Sequence, residues 1–281
     1  MTYKVRHFSN FTRAIHTRSQ SVRVDDEDEL YTVFGQHPKA LWLARGNGLS
    51  YSDCCVNNNG IILDTSRLNH ILSFNPESGI AICQGGVTFA DLFLLDQQFI
   101  PPVLPGTLFA TLAGGIANDI HGKNNPVAGS LGHHIEWIDL QINHQLLRCS
   151  RTENTELFSA TLGGLGLTGV IKRLAIRLIK KSRWVNKVNE KFTDIPSLLQ
   201  RMQTNTHSDY QVAWLDLLNT PRAVLSSAHP IESERPEPLL KCSLSIPLLP
   251  IRVIGQYTMK QFNRIYYHKN TVGTQLVPLW Q

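Results

Sequence analysis

Three glycine-bearing loops stand far apart in the sequence: Arg45-Gly46-Asn47-Gly48-Leu49-Ser50-Tyr51, then Pro105-Gly106-Thr107 continuing to Thr111-Leu112-Ala113-Gly114-Gly115, then Gly163 through Gly169. Glycine lets backbone approach a ligand closely, and consecutive main-chain N–H groups at the end of a strand or helix can cradle an anion such as a pyrophosphate. Each loop taken singly is a turn, and composition alone favours three unrelated turns over one long cleft. Gly164-Leu165-Gly166-Leu167-Thr168-Gly169 also fits the G-x-G-x-x-G dinucleotide pattern. That fingerprint requires the order strand, glycines, helix, whereas the order expected here is helix, glycines, strand, so the Rossmann reading is rejected.

Other chemistry-bearing residues are sparser. A loop histidine such as His121 can donate to a ligand oxygen, although hydrogen bonding in a structural role is its commoner use. His133, His134, His144 and Cys149 invite a metal reading, but adjacent residues on a strand point to opposite faces, so His133 and His134 are not expected to converge on one ion. The five cysteines, Cys54, Cys55, Cys83, Cys149 and Cys242, show no C-x-x-C pairing and read as reduced thiols. No metal site is expected.

The elements that must carry these loops follow from hydrophobic patterning. The acidic run Asp25 to Glu29 ahead of Leu30, Tyr31, Val33 and Phe34 suits carboxylates on the positive end of a helix dipole. Ala40 to Leu43 and Ile61-Ile62-Leu63 read as strands, and Ile71 to Phe74 with Gly79 to Cys83 as a hairpin turning at Asn75-Pro76-Glu77-Ser78. Thr88 and Asp91 have capping-box spacing ahead of a short helix. A second hairpin is expected at Ile135–Ile142 and Leu146–Cys149, then a helix from Thr155 to Leu162. Leu174, Ile176 and Leu178 alternate with Arg173, Ala175 and Arg177, as in a strand with one solvated face. Lys180-Lys181-Ser182 is the expected domain boundary; beyond it come a helix near Ile195 to Met202, a strand Val212 to Leu217 and a Pro/Glu/Ser-rich loop from Ser226 to Pro238.

With 281 residues, 42% of them hydrophobic, the chain can bury one large core or two modest ones. The charge is +5 and the basic residues are scattered, which argues against a nucleic-acid module. No apolar run reaches membrane-span length and the N-terminus lacks the apolar core of a signal peptide, so a cytoplasmic protein, at most peripheral to a membrane, is expected.

Residue identity and order then outweigh the three-turn reading. Ala44 to Tyr51, Leu63-Asp64-Thr65-Ser66-Arg67-Leu68, Pro105-Gly106-Thr107, Gly114 to Asn124 and Gly163 to Gly169 together resemble the FAD-binding half of the vanillyl-alcohol oxidase superfamily. Within it, His121-Gly122-Lys123-Asn124 and Glu153 to Phe158 are most similar to the decaprenylphosphoryl-ribose oxidases, flavoenzymes that make a cell-wall arabinan precursor. The resemblance runs from about residue 35 to 270. It implies an α+β chain: a two-subdomain PCMH-type FAD-binding fold over residues 1–180, then an antiparallel-sheet substrate or cap domain over 181–281.

The same resemblance assigns roles. Arg45, Gly46, Asn47, Gly48, Leu49 and Ser50 fall on the FAD pyrophosphate loop and Tyr51 toward the flavin. Pro105, Gly106, Thr107, Thr111, Gly114 and Gly115 fall on the second loop, and Leu165, Gly166, Thr168 and Gly169 on the one meeting the adenine end. Asn118, His121 and Gly122 match positions beside the isoalloxazine, with His121, Lys123 and Trp214 on the substrate side. Some relatives attach FAD through a histidine where this chain has Leu49; leucine cannot form that bond, so FAD is expected to be held non-covalently.

The implied reaction is oxidation of a secondary alcohol of a lipid-linked or soluble sugar to a ketone, with an NAD-dependent short-chain reductase as the partner that completes an epimerisation. An aldonolactone oxidase and an inactive FAD-binding remnant are the competing expectations. Family members continue past the point matching Phe262 to Tyr267, and Thr271 to Gln281 does not resemble that continuation, so the substrate domain is expected to be incomplete.

Overall fold

In the computed structural model, residues 2–36, 40–205, 207–218, 221–236, 254–270 and 272–280 are described, in two compact units divided between Lys180 and Lys181. Cys242, and Glu237 and Pro238 of the Pro/Glu/Ser-rich segment, lie outside the described residues.

The first unit opens with a hairpin of β1 (Lys4–Ser9) and β2 (His16–Arg23), followed by α1 (Glu29–Gln36), β3 (Trp42–Arg45) and β4 (Ile61–Asp64). These strands form one sheet in the order β1-β2-β4-β3, with β2 and β3 parallel to β4 and β1 antiparallel to β2. Then come β5 (Ile71–Asn75), β6 (Ile80–Gln84), α2 (Phe89–Leu95), β7 (Phe99–Ile100), α3 (Leu112–Ala117), α4 (Asn125–Ala128) and β8 (Ile135–Ile142). β9 (Gln145–Ser150), α5 (Thr155–Thr161), β10 (Val170–Arg177) and β11 (Ile179–Lys180) complete it. β5-β6-β10-β8-β9 is an antiparallel sheet, and β7 pairs with β11.

Each sheet has its own core. Val22, Leu30, Val33, Ile61 and Leu63 pack between α1 and the first sheet, while Phe89, Leu112, Ile116, Leu131, Ile138 and Leu174 fill the second. Strand β10 joins them, since Val170 belongs to the first cluster and Ile171, Leu174 and Ile176 to the second. The capping box at α2 is complete: Asp91 N–H donates to Thr88 Oγ1 and Asp91 accepts from Thr88 N–H. Such a cap is worth about 1 kcal/mol.

Four expectations need correction. Glu27 is no solvated helix-end carboxylate. It is buried and takes hydrogen bonds from Gln84 on β6 and Arg173 on β10, with Lys172 Nζ 3.4 Å away. Asp26 does the capping instead, accepting from Asp28 and Glu29 N–H groups. Ala175 is fully buried although Arg173 and Arg177 flank it in the open, because its cross-strand neighbours Ile82 and Trp137 share its face and cover a small side chain. His133 and His134 lie in a 3₁₀ turn rather than on a strand, His134 Nε2 contacting Ala128 O and His133 Nδ1 contacting Ser130.

The fourth correction falls in the second unit. It contains β12 (Trp184–Phe192), α6 (Ile195–Thr204), β13 (Tyr210–Asp216), β14 (Arg222–Pro230), α7 (Gln256–Lys269) and β15 (Gly273–Pro278). These strands form an antiparallel sheet in the order β13-β14-β12-β15, and α6 packs Leu198 against Ala223 and Leu225. Ser226 to Pro230 is thus strand, not loop. Pairing with β12 and β13 on both sides outweighs its Ser/Pro composition, and its hydroxyls find partners in Asn189 and Asn205.

Candidate functional site

The first unit brings the three glycine loops to one cleft. Its lining includes Arg45 through Ser50, then Thr111, Gly114 and Gly115, then Leu165, Gly166 and Gly169. No carboxylate lies among these lining residues, and Arg45 is their only cation. The field in the cleft therefore favours an anion.

The loops are fastened to one another by contacts that depend on small residues. Asn47 Nδ2 donates to Phe109 O at 2.8 Å, and a Cβ on Gly46 would come within 2.4 Å of Thr111 Oγ1. The second loop is tied to the β6–α2 connection by Ala113 N–H to Gly85 O (3.0 Å) and Leu112 N–H to Val87 O (2.7 Å). Gly85 itself has Ile171 O 2.3 Å from where a Cβ would sit. The third loop hangs from α3 through Gly163 N–H to Ile116 O (3.0 Å) and Leu165 N–H to Ala117 O (2.7 Å).

What remains free is as telling as what is tied. Among the described residues, none of the backbone N–H groups of Gly46, Asn47, Gly48, Leu49 and Ser50 donates to a protein acceptor. Such groups are strong donors that folded chains rarely leave unpaired, and a row of them is a ready anion cradle. Gly166, at φ +76°, faces space that a side chain would fill without meeting protein within 4 Å. A phosphorylated ligand following both loops fits these features.

Arg45 is a strut within this arrangement. Its guanidinium donates to Cys55 O and, at 2.9 Å, to Ser9 O, and sits 5.1 Å from the Phe8 ring centroid. It forms no ion pair among the described residues, so its charge stays uncompensated beside the cradle.

Other sequence-assigned residues stand outside the lining. Tyr51 is exposed and meets Phe11 edge-on, while Asn10 Nδ2 holds its carbonyl. Thr168 contacts Thr161 at 3.0 Å, and Asn118 caps α3 by donating to Gly114 O. Gly122 lies tight against Leu104 backbone, and Pro105, Gly106 and Thr107 are not part of the wall. His121 bridges to Ser130 just after Ile120, which lines the cleft, and Lys123 follows on the same exposed segment. Trp214 lies in the second unit on β13, its ring 4.7 Å from that of Tyr266.

Sequence reasoning missed Cys54, Cys55, Ala110 and Ala117 in the wall. Small apolar residues carry no chemical signal, and only their spacing next to the glycines could have drawn attention. Burial pushes the Cys83 thiol up to about 12, which keeps it protonated in the core. Among the described residues, no group of three or more His, Cys, Asp or Glu side chains could hold a metal ion.

Comparison with known proteins bears on this first unit. Residues 20–143 match the family described as FAD binding domain. Over that segment, which holds the first two of the three loops, the chain is similar to FAD-binding domains. Over 249 residues it is 28% identical to decaprenylphosphoryl-beta-D-ribose oxidase of Mycolicibacterium smegmatis, covering 81% of this chain and 54% of that protein. An uncharacterized oxidoreductase in the fasciation locus of Rhodococcoides fascians is 30% identical over 154 residues, 54% of this chain and 35% of that one. Cytokinin dehydrogenase 5 of Arabidopsis thaliana is 26% identical over 174 residues, 57% and 32% respectively. The chain thus spans about half the length of the first relative and about a third of the others. The family match ends before the third loop, which the fold alone brings to the cleft.

Proposed function

We propose that this chain holds FAD non-covalently in the cleft of its first unit and serves the oxidation of a sugar secondary alcohol, of the polyprenyl-phosphoribose kind, to a ketone. The row of unspent N–H groups from Gly46 to Ser50 beside Arg45 carries the reading, because a pyrophosphate is the part of FAD that most needs such donors. Leu49 in that loop has no atom able to bond the flavin. When bound, FAD supplies the acceptor for a hydride leaving the carbinol carbon, while the protein supplies position and electrostatics. Gly114, Gly115, Leu165, Gly166 and Gly169 form the walls along the dinucleotide. His121 and Lys123 are the candidates for contacts on the flavin and substrate side. The choice of a ribose-type sugar follows the similarity to the mycobacterial oxidase over most of the chain. A ketone so formed suits consumption by an NAD-dependent short-chain reductase.

The test has two stages. Acid or heat treatment of the yellow protein should leave all flavin in the supernatant, and flavin retained on the precipitated chain would refute non-covalent binding. Anaerobic mixing with a polyprenyl-phosphoribose should then bleach the flavin band at roughly 1 per second or faster, with aldonolactones far slower. The reverse order of substrates would overturn the sugar assignment while leaving FAD binding intact.

A further inference from the structure

We propose that the outward face of α7 in the second unit lies on an anionic lipid surface. The first observation is where the charge sits. The chain has 27 Lys and Arg against 22 Asp and Glu; from Pro238 to the end there are five of the former and none of the latter, leaving 22 of each sign before it. The whole formal charge of +5 thus resides in one stretch, and α7, with Lys260, Arg264 and Lys269 and no acid, is the helix described within it.

The second observation is that α7 is packed with its polar side inward. Asn263 is its one fully buried residue and donates to the buried Asp216 carboxylate at 2.8 Å. One turn on, the Tyr267 ring lies 4.6 Å from the Arg222 guanidinium and 5.1 Å from Lys191 Nζ. At 100° per residue, Gln261, Phe262, Ile265, His268 and Lys269 then point the other way, with Tyr257 and Arg264 at the flank. Tyr257 is 74% exposed, Phe262 52% and Ile265 54%, and Ile254 just before the helix is 73% exposed.

A helix anchored by an asparagine while Tyr257, Phe262 and Ile265 stay exposed has, among the described residues, an uncovered apolar face. Cations interspersed with that face select its cover. Aromatic rings favour the boundary of a bilayer, and Lys and Arg are drawn to its anionic headgroups, at roughly 1 kcal/mol for each charge near the surface. Among the described residues no helix is long and apolar enough to cross a membrane, so α7 would lie in the plane of the interface.

Flotation of the full chain with vesicles tests this without reading flavin chemistry. Binding is expected to equimolar phosphatidylglycerol/phosphatidylcholine vesicles, to weaken with salt, and to be at least about tenfold weaker on phosphatidylcholine alone. Phe262→Glu/Ile265→Glu and Arg264→Gln/Lys269→Gln should each lower partition by about tenfold or more, with circular dichroism and flavin content unchanged. Leu94→Glu, an equally exposed apolar site in the first unit, should leave partition as it is. Equal binding by the α7 variants would overturn the proposal. So would a wild-type dimer that these substitutions convert to monomer, since the face would then belong to a second copy.

Discussion

Glu27→Ala is expected to lower the unfolding free energy by about 3–5 kcal/mol, because removing one partner of a buried ion cluster strands the other. Lys172 is 6% exposed and 3.4 Å from Glu27, and Arg173 and Gln84 donate to the same carboxylate. The cluster ties the segment before α1 to β6 and β10, so it joins the sheet that leads into the first cleft loop to the sheet that carries the third. For a chain of this size a fall of about 10 °C in the thermal midpoint follows. Lys172→Met in the same chain should recover part of the loss, which a merely local defect would not allow. A shift below about 1 kcal/mol would mean that the cluster contributes no more than an exposed ion pair.

The same group sets an acid limit. Burial pushes the Glu27 carboxyl up, but hydrogen bonds from Arg173 and Gln84 and the charges of Arg173 and Lys172 outweigh it and hold the group below its ordinary 4.5. A carboxyl depressed in the folded state adds stability that is fully present above its ordinary value and is lost as pH falls through the lowered one. Denaturation measured as a function of pH should therefore show the wild type losing stability on acidification faster than Glu27→Gln.

Gly48→Val should reduce FAD affinity by on the order of a hundredfold while the chain stays folded. Residue 48 sits at φ +67°, where a branched residue is strained by roughly 1–2 kcal/mol. A Cβ there would also stand 2.0 Å from Arg45 Nη2, a group pinned to Ser9 O and Cys55 O. The collision is with the strut that supports the cradle, so the loop must move as a unit. Arg45→Ala in the same chain should relieve the steric part and leave the strain, and a flavin titration of the two single variants and the double variant separates them. Unchanged affinity in Gly48→Val would mean that the loop is a turn with no part in binding.

How much of this was legible in the sequence varies with the type of signal. The hairpins at β5–β6 and β8–β9, the capping box at Thr88 and the helix–glycine–strand order around Gly163 to Gly169 follow directly from apolar runs and turn residues. The N-terminal hairpin does not. Besides Val22, the buried positions of β2 are Thr17, Ser19 and Ser21, and a hydroxyl can be buried where it bonds to a neighbour, as Ser19 Oγ does to Asn57 O at 2.5 Å. An alternation of polar residues is invisible to a hydrophobic period. The role of Glu27 was hidden for a different reason: its partners Lys172 and Arg173 lie about 145 residues away, beyond the reach of any local pattern. Within the site, the glycines announced themselves, whereas the alanines and cysteines between them did not.

FAD held in the cleft formed by the three loops would set its phosphates on the N–H groups of Gly46 to Ser50. Amide hydrogen exchange of the full chain, read by peptide mass spectrometry with and without saturating FAD, tests this placement most directly. Slowed exchange is expected in peptides covering residues 46–50, 111–115 and 165–169, strongest in the first, since those amides gain acceptors they lack in the protein alone. Protection confined to other segments, or exchange at 46–50 unaffected by bound FAD, would contradict it.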